Sequence, residues 1–124
     1  MKRRSYRRPS IENALFLHQI VEKHGAEKGY LRNLLEACLD YPFITTHGYT
    51  PHKDIFTKAA ALLYAVITFH PFVDGNKRTA LLLTSLFLAL NGYQFEYPPD
   101  TVEKTIAIAK RELEIPMIAT WLKS

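Results

Sequence analysis

The sequence predicts an all-α fold, a compact bundle of about six helices with one small β-hairpin flap. Apolar residues recur at helical spacing through most of the 124 residues, and helix start and stop signals separate these stretches. Residues 43–53 differ, because they are β-branched and aromatic around a glycine. Apolar residues make up 48% of the chain and charged residues 23%, which is typical of an ordinary globular domain.

The first two helices are predicted from their boundaries. Ser10 is a suitable N-cap for a helix over residues 11–24, and Gly25 supplies its end. A second helix over residues 30–39 has leucines on one face. It must end before Pro42, because the residue before a proline avoids helical backbone angles.

The third and fourth helices are the most apolar. Asp54 can cap the third helix, which ends near Phe69. After a loop, the fourth helix runs over residues 76–90 and carries few polar residues in its second half. A helix that is apolar on all sides is a buried one, so the fourth helix is predicted to be the centre of the fold.

The remaining elements are shorter. Residues 93–97 alternate between aromatic and polar side chains, which predicts a short strand that covers the core. Asp100 with Glu103 three residues later predicts a capping box and a fifth helix. Pro116 can open one or two final helical turns.

The positive charge of the chain is concentrated at one end. Residues 1–8 carry five of the 16 lysines and arginines and no acidic residue, so the net charge of +4 comes from this segment. Residues 1–9 are therefore predicted to be a basic, flexible arm, and residues 10–124 a single domain. Nucleic acid is an unlikely partner on this pattern, since a nucleic-acid-binding surface is a charged face of the fold. Binding of nucleic acid through the arm remains the alternative function of a different class.

The cysteine content and hydropathy indicate a compartment. Cys38 is the single cysteine, which excludes an internal disulfide framework and fits a reducing environment. It lies on an apolar helix face and is predicted to be an inert core thiol. The chain has no run of about 18 apolar residues, so no membrane span is predicted and we expect a cytoplasmic protein. His47 and His52 are predicted to be loop histidines, because their spacing matches no zinc motif.

Residues 70–78, His-Pro-Phe-Val-Asp-Gly-Asn-Lys-Arg, carry the candidate chemistry. A helix that begins at Asn76 leaves its first backbone amides unpaired, and such amides bind phosphate groups. Gly75 allows the backbone to turn and to approach a ligand closely. Lys77 and Arg78 add two cations to the same helical turn. Together, these four residues are predicted to hold a polyphosphate.

Three further residues of this segment have predicted roles. Asp74 can ligate a Mg²⁺ ion that is shared with phosphate oxygens. His70 titrates near neutral pH and can take a proton from an attacking hydroxyl group. Phe72 is predicted to anchor the loop in the core. Phosphoryl transfer depends mainly on positioning and electrostatics, so this set is sufficient for it.

The nine-residue segment resembles the signature of the Fic/Doc superfamily, and specifically of its death-on-curing (Doc) toxin branch. Looser similarity extends over residues 31–36, 58–63 and the stretch from Arg78 to Tyr93. The resemblance implies His70 as catalytic base and the same metal and phosphate roles for the residues that follow it. It implies a toxin that uses ATP and Mg²⁺ to phosphorylate a threonine of elongation factor Tu, which stops translation. It also implies a small antitoxin whose disordered tail folds onto the toxin, and a target-docking role for the flap.

Two departures from the wider Fic pattern favour phosphate transfer over AMP transfer. Fic enzymes that transfer AMP resemble this chain but carry a glycine at the position of Lys77 and a second arginine at that of Leu81. The inhibitory motif of Fic proteins is also missing, since Arg8 stands where that motif has serine or threonine, four residues before Glu12. We therefore expect a Doc-type kinase restrained by a separate antitoxin, with AMP transfer as the alternative reaction.

Overall fold

The computed structural model describes residues 5–45 and 47–124, which form a bundle of six α-helices. The helices are α1 (Ile11–Lys23), α2 (Arg32–Asp40), α3 (Ile55–Phe69), α4 (Asn76–Leu90), α5 (Thr101–Ala109) and α6 (Ile115–Lys123). A 3₁₀ turn, Tyr41–Phe43, follows α2 directly. The prediction of an all-α fold with about six helices is confirmed. Among the described residues, no helix is long and apolar enough to cross a membrane.

Helix α1 begins at the predicted cap. The hydroxyl oxygen of Ser10 accepts a hydrogen bond from the backbone N–H of Asn13 at 3.0 Å. In return, the Asn13 side-chain oxygen accepts one from the Ser10 backbone N–H at 2.9 Å. This reciprocal pair satisfies backbone groups that a helix start otherwise leaves unpaired, which fixes the beginning of the helix at this point.

The buried centre of the fold is α3 rather than α4, so the prediction from hydropathy was wrong. Eleven of the 15 residues of α3 are buried, and α3 packs against α2, α4, α5 and α6. In α4, by contrast, the side chain of Leu82 is 38% exposed. Four alanines of α3 are completely buried: Ala59, Ala60, Ala61 and Ala65. Their small side chains let neighbouring helices approach α3 from several sides. Hydropathy does not distinguish such a helix from one that is apolar but packed on fewer sides.

The predicted β-hairpin flap at residues 43–53 is not shown. The chain leaves the 3₁₀ turn in an extended conformation, and the described part of the segment has turn geometry at His47 and Gly48. The side-chain oxygens of Thr45 and Thr50 lie 2.9 Å apart, so the two arms of the segment approach each other. This contact is made by side chains and not by a ladder of backbone hydrogen bonds. A β-branched composition therefore does not by itself imply strand pairing. We keep the name flap for residues 43–53.

The predicted strand at residues 93–97 was also wrong, although its role in covering the core was correct. The segment has no regular secondary structure. Its aromatic rings pack on neighbouring rings, with centroid separations of 5.4 Å between Tyr93 and Phe56 and 6.2 Å between Tyr97 and Trp121. The alternation arises because the aromatic side chains are half-buried against the core and the polar ones between them are exposed, in a segment that pairs with no strand among the described residues.

Asp100 joins two helices instead of forming the predicted capping box. It makes no side-chain cap hydrogen bond at the start of α5. Its carboxylate instead accepts a hydrogen bond from the indole N–H of Trp121 in α6, at 2.8 Å. The partner lies 21 residues away along the chain, which a local motif does not reveal.

The N-terminal segment is bonded to the body of the fold at Arg7 and Arg8. The backbone of Arg7 exchanges two hydrogen bonds of 2.9 Å with the side-chain amide of Asn91. The guanidinium group of Arg8 donates to Leu39 and pairs with the Asp40 carboxylate at 2.8 Å. Residues 1–4, which include three of the five cations of the predicted flexible arm, lie outside the described residues. The division of the chain at residue 9 stays a prediction.

Candidate active site

A cavity of about 300 Å³ opens at the loop that joins α3 to α4, which we call the catalytic loop (residues 70–75). Six of the seven sequence-predicted site residues line this cavity together with Val73: His70, Asp74, Gly75, Asn76, Lys77 and Arg78. Phe72 is the exception, because its side chain points into the core and is only 2% exposed. The structure therefore brings the candidate groups to one place.

The first turn of α4 forms the floor of the cavity. Gly75 precedes the helix with a φ of 80°, in the left-handed region that favours glycine. No hydrogen bond from the backbone amides of Asn76, Lys77 or Arg78 is found within residues 5–45 and 47–124. Unpaired amides at a helix start, together with two exposed cationic side chains, are groups that could hold an anion.

Gly75 is also required by the packing of this turn on α1. A Cβ atom at this position would lie 2.8 Å from a methyl carbon of Val21 and 3.1 Å from the Cβ of Ala26. The backbone of the catalytic loop therefore lies directly against the end of α1. Both the left-handed angle and the close approach exclude other residues here without local strain.

His70 stands at the end of α3 in a left-handed conformation, with a φ of 54°. Such angles are uncommon for residues other than glycine and concentrate at functional sites. The side chain is exposed to the cavity. Its Nδ1 atom lies 3.1 Å from the side-chain nitrogen of Asn76, which orients the ring.

The Asn76 side chain is a brace inside the catalytic loop rather than a free ligand. It is 5% exposed, its oxygen accepts from the backbone N–H of Phe72 at 3.0 Å, and its nitrogen donates to the Phe72 carbonyl at 2.8 Å. These two bonds fix the orientation of the amide, so the nitrogen faces His70 as a donor. The contact therefore suits a His70 ring whose Nδ1 is unprotonated. The backbone amide of Asn76 remains available to an anion.

The Asp74 carboxylate is held by two backbone amides. One oxygen accepts from the N–H of Glu27 at 3.1 Å and the other from the N–H of Gly75 at 2.9 Å. These hydrogen bonds, first that from Glu27 and then that from Gly75, hold the pKa of Asp74 below its usual value, with Arg78 and His18 contributing. The group is thus ionised at neutral pH, as a carboxylate ligand must be.

A histidine of α1 positions the catalytic loop, a role that no local sequence pattern indicates. His18 is 2% exposed, and its Nε2 donates to the Asp74 carbonyl at 2.8 Å. Its Nδ1 lies 2.7 Å from the Glu22 carboxylate, and its ring stacks on Phe72 with centroids 4.0 Å apart. The spacing of His18 and Glu22 suggests a helical pair. Its connection to Asp74, 56 residues later, exists only in the folded chain.

The segment 26–31 holds the other side of the catalytic loop. The backbone N–H of Leu31 donates to the Pro71 carbonyl at 2.8 Å, and the N–H of Val73 donates to the Gly29 carbonyl at 2.9 Å. Tyr30 and Phe72 form an antiparallel bridge between these bonds. The loop is therefore fixed by α1, by residues 26–31 and by α4 before any ligand binds.

An apolar groove of about 450 Å³ runs beside the cavity between α1 and α4. Its walls include Ile20, Leu81, Leu82 and Tyr97, and Arg78 forms the boundary that it shares with the cavity. The guanidinium group of Arg78 also approaches the His24 carbonyl at the end of α1, at 3.4 Å.

Other candidates from the sequence lie outside this site. No group of three metal-ligating side chains occurs in the part of the chain that the structure describes, so His47, His52 and His70 are not gathered as zinc ligands there. Cys38 is completely buried, and burial raises the pKa of its thiol to about 12. The prediction that Cys38 lies in the core is confirmed.

Comparison with known proteins identifies relatives. The model of the Fic/DOC family matches residues 9–88. The protein named Toxin Doc from Mycolicibacterium smegmatis is 36% identical over 92 residues, which cover 72% of this chain and 71% of that protein. Protein kinase doc of Escherichia phage P1 is 36% identical over 76 residues, or 61% of this chain and 60% of that protein. A Fido domain-containing protein of Dictyostelium discoideum is also 36% identical, over 69 residues and 48% of its length.

Proposed function

This chain belongs to the Fic/DOC family, and we propose that it is the toxin of a toxin–antitoxin pair that transfers a phosphate from ATP to a protein hydroxyl group. The proposed acceptor is a threonine of elongation factor Tu, so that the transfer arrests translation. Support comes from the names of two relatives, Toxin Doc and Protein kinase doc. We place the activity in the cytoplasm, where the reduced thiol of Cys38 is stable.

The observation that carries this proposal is the single cavity at the start of α4. It combines unpaired backbone amides, the cations Lys77 and Arg78, the ionised Asp74 and the exposed His70. A triphosphate bound there would meet positive charge from the helix start and from both side chains. Since phosphoryl transfer requires positioning and charge stabilisation above all, these groups match its demands.

Asp74 is the residue that would hold Mg²⁺. Its carboxylate is ionised and exposed, and each oxygen uses only one hydrogen bond on a backbone amide. Mg²⁺ is commonly held by one or two carboxylates together with substrate phosphates, so one protein carboxylate fits this ion. When bound, the ion would neutralise charge on the phosphate oxygens.

His70 is the proposed general base. To take the proton of the attacking hydroxyl group, its Nε2 must present a lone pair to the acceptor. The Asn76 amide donates toward Nδ1, which leaves the proton of a neutral ring on Nε2. The base form is the other tautomer, with the proton on Nδ1, and its formation releases the contact with Asn76. As the hydroxyl oxygen bonds to the γ-phosphorus of ATP, its proton passes to Nε2, the bond from that phosphorus to the β,γ-bridging oxygen breaks, and ADP leaves.

Phosphate transfer is favoured over AMP transfer by the side chains near the cavity. The residue at position 81 is a leucine that packs against the core and lines the apolar groove. The cationic side chains that line the cavity are Lys77 and Arg78. A second arginine, which in AMP-transferring Fic enzymes occupies the position of Leu81, has no counterpart at this position.

The direct test is intact-mass analysis of elongation factor Tu after incubation with this protein, ATP and Mg²⁺. We expect a gain of one phosphate, and no gain when the His70→Ala variant is used. A gain of AMP would contradict phosphate transfer, and an unchanged mass would contradict the proposed target. The His47→Ala variant is the matched control, because His47 is also an exposed histidine with a positive φ, 52°.

A small cognate antitoxin is the proposed partner, in keeping with the name of the M. smegmatis relative. The apolar groove is the surface that we assign to it, since an apolar helix placed there would also cover Arg78 at the boundary of the cavity. We expect Leu82→Glu to weaken antitoxin binding in calorimetric titrations. Val102→Glu, at a residue of α5 that is 69% exposed, is the matched control and should bind as the parent does.

A further inference from the structure

A second cavity, which we call the basic cavity, lies where the N-terminal segment and the flap meet the first turns of α3. Its volume is about 640 Å³, twice that of the cavity at the catalytic loop. Tyr6 and Phe43 contribute aromatic walls, and Arg8, Lys53 and Lys58 contribute three cations. Neither Asp nor Glu is among the residues that line it.

Lys58 is a buried cation at the base of this cavity. It is only 6% exposed, its ammonium group donates to the Pro42 carbonyl at 3.1 Å, and the Phe43 ring centroid lies 4.8 Å away. Within residues 5–45 and 47–124 no carboxylate approaches it to 4.0 Å, and the remaining residues include no Asp or Glu. Burial, and then the nearby Arg8, lower the pKa of Lys58, while the charge of Asp54 acts in the opposite direction. A buried ammonium group with no carboxylate in contact is costly, which favours an anionic occupant.

The nearby acidic side chains are already engaged. The Asp40 carboxylate pairs with the Arg8 guanidinium group at 2.8 Å, and the central carbon of that group lies 4.1 Å from the Phe43 ring centroid. Asp54 caps α3 and accepts hydrogen bonds from the backbone N–H and the hydroxyl group of Thr57, both at 2.9 Å. Lys53 is exposed. The cavity therefore keeps an excess of positive charge.

We propose that the basic cavity is a docking subsite for the carboxylate groups of an acidic segment of the protein substrate, an inference that rests on the proposed function. A cavity bounded by aromatic rings accommodates one or two carboxylates on a peptide. A nucleic acid backbone instead requires a continuous basic face or stripe. The three cations of the basic cavity surround one concave site instead of forming such a face.

The position of the basic cavity sets a distance to the reacting group. Lys58 and Phe69 lie 11 residues apart in α3, which is close to three helical turns and about 17 Å along one face. The Tyr41 ring contacts the Phe69 ring at 5.4 Å, and the Pro42 carbonyl contacts Lys58, so the 3₁₀ turn lies on this face between the two residues. An extended peptide covers about 17 Å with roughly five residues. The acidic residues of the substrate should therefore lie about five residues from the phosphorylated hydroxyl group.

The test uses the full chain as its His70→Ala variant and two synthetic peptides. One peptide carries a threonine, a four-residue glycine–serine spacer and three glutamates, and the other has three glutamines instead. We expect the glutamate peptide to bind at least fivefold more tightly in calorimetric titrations at 150 mM NaCl, by about 1 kcal/mol. Lys53→Gln and Arg8→Gln should each weaken binding of the glutamate peptide at least threefold. Lys110→Gln, an exposed lysine outside the basic cavity, should leave it unchanged within twofold.

Each result has one meaning. The docking subsite is overturned if the two peptides bind equally well. It is also overturned if Lys110→Gln weakens binding of the glutamate peptide as much as Lys53→Gln and Arg8→Gln do. If single-stranded octauridylate binds more tightly than the glutamate peptide, and if Lys53→Gln and Arg8→Gln abolish that binding, the result overturns the docking subsite in favour of a nucleic acid site. Selective binding of the glutamate peptide without phosphate transfer by the parent protein would support the subsite and contradict the proposed function. Because Lys53 is exposed, its substitution does not endanger folding.

Discussion

The catalytic loop (residues 70–75) and the longer flap (residues 43–53) are held in different ways. Backbone groups of Phe72, Val73, Asp74 and Gly75 each engage partners in α1, α4, residues 26–31 or the loop itself. In the flap, the described contacts include one backbone hydrogen bond of 3.5 Å, from Ile44 to the Tyr41 carbonyl, and side chains make others, such as the 2.9 Å approach of the Thr45 and Thr50 hydroxyl oxygens. Groups that react must keep their geometry, whereas a surface that meets a macromolecule can rely on charge and side chains.

The comparison is sharpest for two histidines with the same backbone conformation. His70 in the catalytic loop and His47 in the flap have φ values of 54° and 52°, and both are exposed. Replacement of either by alanine should therefore have a similar, small effect on stability. We expect His70→Ala to lower the rate of phosphate transfer by about 10²–10⁴-fold through loss of the base, and His47→Ala to change it less than threefold. The rates are measured by mass spectrometry over time. Equal losses in the two variants would contradict the assignment of His70, and not His47, as the base.

Two glycines test the packing difference between the regions. Gly75 and Gly48 have φ values of 80° and 78°, but a Cβ would meet Val21 at 2.8 Å at the first position and nothing within 4 Å at the second. Alanine at Gly48 should cost about 1 kcal/mol from the left-handed angle alone. Alanine at Gly75 should cost about 1–3 kcal/mol more, because the methyl group crowds α1. Urea unfolding of the two variants measures the difference, and equal losses would show that crowding is relieved without cost.

His18 tests whether α1 positions the catalytic loop. His18→Phe keeps a ring that can stack on Phe72 but removes the bonds to Glu22 and the Asp74 carbonyl. We expect a loss of about 2 kcal/mol of stability, since each buried hydrogen bond contributes about 1 kcal/mol.

We also expect a lower kcat for the transfer, with a smaller change in the KM for the protein substrate. His24→Phe, at the exposed end of α1, is the control. A purely structural role would lower stability and leave the kcat of the folded fraction intact.

The smallest expected effect is a pH dependence from Asp74. Its pKa is lowered in the folded protein, so its contribution to stability is complete above the unfolded value of about 3.9 and is lost as the pH falls through the lower folded value. The free energy difference between the parent and Asp74→Asn should therefore shrink below about pH 4. Unfolding in urea between pH 3 and 7 measures it, with Glu112→Gln as an exposed control. A difference that stays constant over this range would contradict the role of the Glu27 and Gly75 amides.

Local signals in the sequence were sufficient for the helices and for the contents of the catalytic loop. The Ser10 cap, the proline at position 42 and the glycine at position 75 act within a few residues of where they stand, so their effects can be predicted from the chain alone. The same is true of the 70–78 segment, where the turn, the helix start and the charged side chains are consecutive. Six of its seven predicted residues line one cavity because a single tight turn carries them.

Contacts between distant segments decided everything else. Three contacts join residues that are 16 to 56 positions apart: that of Lys58 with Pro42, that of Trp121 with Asp100 and that of His18 with Asp74. The central place of α3 depends on packing from several helices. Hydropathy and periodicity describe one segment at a time and do not contain these distances. The sequence by itself determined which chemistry the loop can offer, and the tertiary structure determined which groups hold it in place and where a substrate can dock.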